Sequence, residues 1–299
     1  MAYSNAAVNA TDLALAAADK PFFVPKNRAR DTSYAFGWRV SGSFAAGADV
    51  TDTNGSVDRA VDGFDHARTF PNAGFTDIYW ICDFGAAGIT LDWFALLGVS
   101  GIAGATVTLQ IADDNAFSVN LVTLSSTTAD TKRIVFPVLT HLGGGALQYG
   151  TVRYLRVRFQ SGGAIVPAFG EMWCGTRLQM DRAPNRPYEP LGLTGEADES
   201  RSVSGIIART VRARGRRVLT HAWNPDVATY QSRLQQLYTD SNYGMRPWVY
   251  VQLPATSPRD AVVALFSAPE HAQPYVGPAE REYHLRAIEQ APNFLALEG

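Results

Sequence analysis

The chain has 299 residues, 46% hydrophobic and 18% charged, with a formal net charge of −2. That length allows two domains of ordinary size, each with its own core, while the near-neutral charge gives no electrostatic case for a nucleic-acid or membrane partner. Two cysteines, Cys82 and Cys174, exclude a disulfide framework and a four-cysteine zinc site.

Residues 1–29 read as an N-terminal arm. The run Ala14–Ala18 favours a short helix with Thr11 or Asp12 as N-cap, ended by Pro21. It lacks the basic flank and apolar length of a secretory signal, and nothing in the chain approaches a membrane span, so a soluble protein made in the cytoplasm is expected.

From about residue 34 the pattern is that of strands. Phe36–Val40 is a candidate strand, and 41–56 is built of turn-forming Gly, Ala, Asp, Thr and Asn. The segment Ile78–Asp83 is aromatic-rich, and Leu91–Leu97 is apolar almost throughout. Ala105–Ile111 alternates, with Val107, Leu109 and Ile111 on one face and Thr106, Thr108 and Gln110 on the other, as a half-buried antiparallel strand requires. Arg133–Phe136, Tyr154–Phe159 and Phe169–Leu178 follow, with Gly143–Gly145 as a loop. Leu155, Val157 and Phe159 are expected to point inward. Short strands with Gly-rich connections predict a β-sandwich, with Cys82 and Cys174 as buried thiols in its strands.

Four stretches carry a family likeness: Ala60-Val61-Asp62-Gly63, the Trp80 strand closing on Asp83-Phe84-Gly85, Arg153–Phe159, and Gly170–Gly175. Together they resemble the discoidin, or galactose-binding-like, jelly roll over residues 30–180. Secreted discoidin modules are bracketed by paired cysteines, which this chain lacks.

Residues 181–200 read as a linker. Pro184, Pro187 and Pro190 stiffen it, and Gly192, Gly195, Glu196, Asp198 and Glu199 offer no core. The last segment, 201–299, reads as a small α+β domain. It begins with an Arg-rich strand over Val203–Val218. A helix over 225–240 follows, with Asn224 as N-cap, Pro225 at its first position and Val227, Tyr230, Leu234 and Leu237 as its apolar stripe. Gly244 closes the helix or the next turn. Trp248–Leu253, Ala261–Phe266 and Glu282–Ile288 read as strands.

The order Arg216-Arg217-Val218-Leu219, Trp223, helix, and Tyr283–Ala291 resembles the distal-tail and minor-tail proteins of long-tailed bacteriophages. The fold expected is therefore mainly β: a discoidin-like antiparallel sandwich followed by a small β-barrel-like α+β domain with one packed helix. The resemblance implies a structural virion protein of the tail tip or baseplate, forming a homo-oligomeric ring and touching tail-tube and tip proteins. The alternative is a carbohydrate-binding module for host-surface glycans.

No catalytic residue is assigned and the chain reads as a non-enzyme. Gly98-Val99-Ser100-Gly101 lacks the spacing of a nucleophile elbow, and His141-Leu142-Gly143-Gly144-Gly145 has no accompanying nucleophile. Dinucleotide, phosphate-loop and zinc-protease motifs are absent. The acidic loop Asp49, Asp52, Asn54, Asp58, Asp62 and Asp65 offers oxygen ligands of the kind calcium takes, but turn-forming aspartates are the commoner explanation, and no cofactor is required. His66, Arg68, Phe70, Asn72 and Phe75 form a candidate glycan surface, because sugar sites combine aromatic platforms with polar side chains. Arg209, Arg212, Arg214, Arg216 and Arg217 are candidate inter-subunit contacts. Lining a DNA channel is a lesser reading of the same run, which lacks interleaved stacking aromatics.

Overall fold

The computed structural model describes residues 6–7, 20–30, 34–44, 50, 53–54, 60–61, 68–91, 93–128, 148–149, 151–180, 192–201, 207–223, 228–243, 245–253, 261–266 and 283–289. The chain is mainly β with antiparallel pairing, as the sequence predicts, and divides into two compact units: Met1–Asp181 with Val251–Ala261, and Arg182–Tyr250 with Val262–Gly299.

The principal strands of the first unit are β1 Phe22–Val24, β2 Ala35–Arg39, β3 Phe75–Asp83, β4 Trp93–Leu97, β5 Thr106–Ala112, β6 Val122–Thr128, β7 Tyr154–Ile165, β8 Glu171–Gly175 and β9 Leu178–Gln179. One antiparallel sheet has the order β6-β5-β7-β3-β2. Its register places Leu109 opposite Val157, Val157 opposite Trp80, and Trp80 opposite Trp38. Because side chains alternate along a strand, this one row carries a continuous apolar band across four strands.

The facing layer is the antiparallel pair β4–β8. Phe94, Leu96, Met172 and Cys174 meet Trp38, Trp80, Leu109, Leu155, Val157 and Phe159 in one core. Rings order that core: Trp80 lies edge-on to Phe169 at 4.9 Å and to Trp38 at 5.2 Å. Each such side chain contributes about 2–3 kcal/mol on burial.

All five residues of β4 and all five of β8 are buried, so this pair is covered on both faces. That explains why Trp93–Leu97 is uninterruptedly apolar rather than alternating. On its second face Phe22 of β1 meets Trp93 edge-on at 6.4 Å, and the Arg30 guanidinium sits 5.6 Å from the centre of Trp173. Asn27 ties this cover down. Its Nδ2 donates to Glu171 Oε1 and to the Met172 carbonyl, both at 2.8 Å, while its Oδ1 accepts from the Ala29 and Cys174 amides. Glu171, 2% exposed, also accepts from Arg30 Nε and Nη2. Gly175 is required here, since a Cβ would lie 2.5 Å from the Lys26 carbonyl oxygen.

The arm expected over 1–29 is thus different in its last part. Phe22–Val24 is a fully buried strand pairing with β9, because two phenylalanines and a valine gain more from the core than from solvent. The helix expected before Pro21, the Arg133–Phe136 strand and the Gly143–Gly145 loop lie outside the described residues.

The second unit contains β10 Gly192–Arg201, β11 Ile207–Trp223, α1 Ala228–Asp240, β12 Trp248–Val251, β13 Ala261–Phe266 and β14 Tyr283–Glu289, with sheet order β12-β13-β14-β11-β10. Leu234 and Leu237 of α1 are buried as its stripe predicts, while residues 224–227 lie outside the described set. After Asp240 the chain turns through Asn242 and Tyr243, both at φ 55°, and the Arg246 amide donates to the Ser241 carbonyl at 2.8 Å. Gly244, expected to close the helix, is itself undescribed.

The expected linker 181–200 departs most from the sequence reading. Gly192–Arg201 is a ten-residue strand, antiparallel to β11, with Glu199 opposite Arg209 and Asp198 opposite Thr210. Glycine and acidic residues are poor strand formers alone, so composition does not mark this segment as the strand that its pairing with β11 makes it.

Candidate functional site

The candidate site lies at one end of the sandwich, where the segments 68–75, 98–104 and 163–169 meet. Thr69 anchors the first. It is fully buried, its hydroxyl accepts the Trp38 indole N–H at 3.3 Å, and its amide donates to the Phe169 carbonyl at 2.9 Å. The Phe169 amide returns a bond to the Thr69 carbonyl, which closes an antiparallel bridge. With Thr69 turned into the core, extended backbone turns its neighbours outward. Arg68 and Phe70 are accordingly half-buried.

The second segment is fixed by Ser100, whose backbone bridges Ala168 in both directions at 2.8 and 3.0 Å. Gly98 and Gly101 turn the chain on either side at φ 65° and 71°. Gly101 has a further reason to lack a side chain, because a Cβ would fall 2.0 Å from the Val166 carbonyl oxygen. The approach brings the Ser100 hydroxyl within 2.9 Å of Arg68 Nη1, which donates to it. Val166, on the third segment, is exposed.

Among the sequence candidates, Arg68, Phe70, Asn72 and Phe75 fall on this one segment. Phe70 pairs with Asn54 through the backbone, and Asn72 is exposed in the following bend. Phe75, at the start of β3, packs against the core from its edge. His66 lies outside the described residues. Ser100 and Val166 are additions the sequence reading missed. The Gly98–Gly101 pattern marks a tight turn, but nothing in it points to a contact 32 residues away.

Chemically, the end offers a guanidinium oriented by Ser100, an amide, and a half-buried ring. A guanidinium carries five N–H donors in a fixed fork, suited to hydroxyl oxygens, and an aromatic ring packs against the apolar face of a pyranose.

A second polar surface, the outer face of the five-stranded sheet, is internally engaged. Arg156 donates to Gln110 Oε1 at 2.9 Å and to the Gly42 carbonyl, and lies 4.5 Å from the Phe117 ring centre and 5.1 Å from that of Tyr79. Arg158 pairs with Asp77 through two bonds. Burial, and after it the Asp77 charge, push the Tyr79 phenol above its ordinary value. Arg153 pairs with Asp83 in the same manner at the strand end.

Of the acidic-loop candidates for calcium, only Asn54 is described, in a two-residue strand facing Phe70; the others fall outside the described residues. No group of three potential metal ligands occurs among the described residues. Cys82 and Cys174 are buried and unbridged. The Cys82 thiol lies 3.4 Å from Met172 Sδ, and burial, with Cys174 next, pushes it well above its usual range. The five arginines expected as inter-subunit contacts all lie in β11, where Arg209, Arg216 and Arg217 stand opposite Glu199, Thr194 and Leu193. Among the described residues no helix is long and apolar enough to cross a membrane.

Comparison of the sequence with family models and with curated proteins finds no match. Comparison with solved structures finds similarity to chitosan-binding module 1 derived from chitosanase/glucanase from Paenibacillus sp. IK-5, at 18% identity and a TM-score of 0.34, over 50% of this chain and 99% of that one. It also finds CBM32-1 from a family 31 glycoside hydrolase from Clostridium perfringens, at 16% identity and a TM-score of 0.32, over 50% of this chain and 99% of that one.

Proposed function

We propose that the sandwich unit is a non-catalytic carbohydrate-binding module whose ligand sits at the end formed by 68–75, 98–104 and 163–169. The observation that carries this reading is the Arg68–Ser100 pair, which orients a guanidinium on a segment anchored to the core by Thr69, with the half-buried Phe70 two residues along. Binding there is recognition through hydroxyl-directed donors and one apolar platform. The test is a glycan array probed with the full chain, with chitosan oligomers among the saccharides. A saccharide should bind, and Arg68→Ala should weaken it about ten- to a hundredfold, the loss of one or two charge-assisted hydrogen bonds. An array without a hit overturns the reading.

A second observation favours an assembly role for the other unit. Strand β11 runs far past its pairing with β14, leaving a long two-stranded arm with β10. Together with the order of Arg-rich strand, Trp223, helix and final strand, this supports a structural protein of a tailed-phage tail tip or baseplate. Its partners would be copies of itself, tail-tube and tip proteins, and its place the virion, with the sandwich turned to host-surface glycan. Negative-stain images of the purified chain should show rings, and a monomer at every concentration would contradict this.

A further inference from the structure

Residues 218–223 of β11 pair with β14 on one side, and residues 207–218 pair with β10 on the other. Among the described residues, 207–217 therefore have a neighbour on one side only, and β10 is the last strand of its sheet. The result is a two-stranded ribbon about 36 Å long at about 3.3 Å per residue. A two-stranded ribbon is at best marginally stable in water, so both of its edges call for a cover.

The two edges differ in charge. Residues 207–217 contain Arg209, Arg212, Arg214, Arg216 and Arg217 and no acid, whereas β10 contains Glu196, Asp198 and Glu199 against the single Arg201 at its end. Charge on an edge strand ordinarily repels stray pairing. Here, one edge is the complement of the other.

We propose that copies of this chain join head to tail through the ribbon, the acidic β10 edge of one copy adding as a strand to the arginine-bearing 207–217 edge of the next. Such a contact is heterologous, so repetition closes a ring or extends a filament. The inference deepens the assembly reading above and rests on it for the existence of the oligomer. It is independent of sugar recognition.

Sedimentation velocity on the full chain tests it with two charge-reversed variants. Arg209→Glu with Arg212→Glu and Arg214→Glu gives two acidic edges, and Glu196→Lys with Asp198→Lys gives two basic ones. Wild type should associate in a concentration-dependent way, less strongly at high salt. Each variant alone should raise the dissociation constant at least about a hundredfold, since like charges meet across the contact. An equimolar mixture of the two should restore association, because each acidic edge then finds a basic one. Restoration also shows that the variants fold. If wild type associates and the separate variants associate equally well, the ribbon contact is wrong and the assembly reading stands. If wild type is a monomer at every concentration, both fall.

Discussion

Removing the Asn27 side chain is a demanding test of how the β4–β8 pair is held. Asn27 is 5% exposed and makes four hydrogen bonds, two as donor and two as acceptor. The three neutral ones contribute about 1 kcal/mol each and the bond to Glu171 about 2 kcal/mol. Water entering the space left by Asn27→Ala recovers part of this, so a loss of about 3 kcal/mol is expected. With a urea m-value of about 2 kcal/mol/M, the midpoint should fall by about 1.5 M. Tryptophan fluorescence is the suitable probe, because Trp38, Trp80, Trp93 and Trp173 are all fully buried in this unit. Asn27→Asp keeps both acceptor bonds but sets a second carboxylate against Glu171, and should cost at least as much at neutral pH. A midpoint shift below about 0.5 M for the alanine variant would refute the reasoning.

Gly101→Ala should cost more than about 2 kcal/mol, because it adds left-handed strain to a collision with the Val166 carbonyl. Gly104→Ala has a similar φ of 69° but open space, and should cost only about 1 kcal/mol in the same denaturation assay. Equal losses would sink that distinction. The two thiols should resist a colourimetric thiol reagent in the native state and react together on unfolding, since both are buried and burial holds Cys82 protonated. Rapid labelling of folded protein would contradict this. Asp114 accepts bonds from the Val119 and Ser118 amides and the Ser118 hydroxyl, which hold its carboxyl below the ordinary value, the Val119 amide most of all. A depressed folded value means that its stabilisation is present above the unfolded value and lost as pH falls through the folded one. Carboxyl resonances should therefore titrate low, and Ser118 and Val119 amide exchange should quicken as they do. An Asp114 midpoint at or above the usual carboxylate range would count against the loop's geometry.

How much of this was legible varied with the source of the stabilisation. Thr106–Ala112 and Tyr154–Phe159 could be read directly, because alternation is a local record of one buried face. The run Trp93–Leu97 signalled a buried strand but not its second cover, since Phe22 and Arg30 lie far away in sequence. Val122–Thr128 went unread because its Ser and Thr content gives only a weak apolar signal, and its place is set by pairing with β5. Gly192–Arg201 resembles a linker by composition, and only its pairing with β11, distant in pattern from any local signal, makes it a strand. At the candidate site, Arg68, Phe70 and Asn72 could be found as a local cluster. Ser100 could not, because its proximity is created by bridges to Ala168.

The most direct test of the central claim is to locate a bound saccharide. Backbone amide shifts of the labelled full chain, followed through a titration with the saccharide that binds best on the array, provide it. The account predicts perturbations gathered at residues 68–75, 98–104 and 163–169, abolished in Arg68→Ala. Shifts confined to the outer sheet face around Tyr79 and Arg156, or no shifts at saturating saccharide, would contradict it.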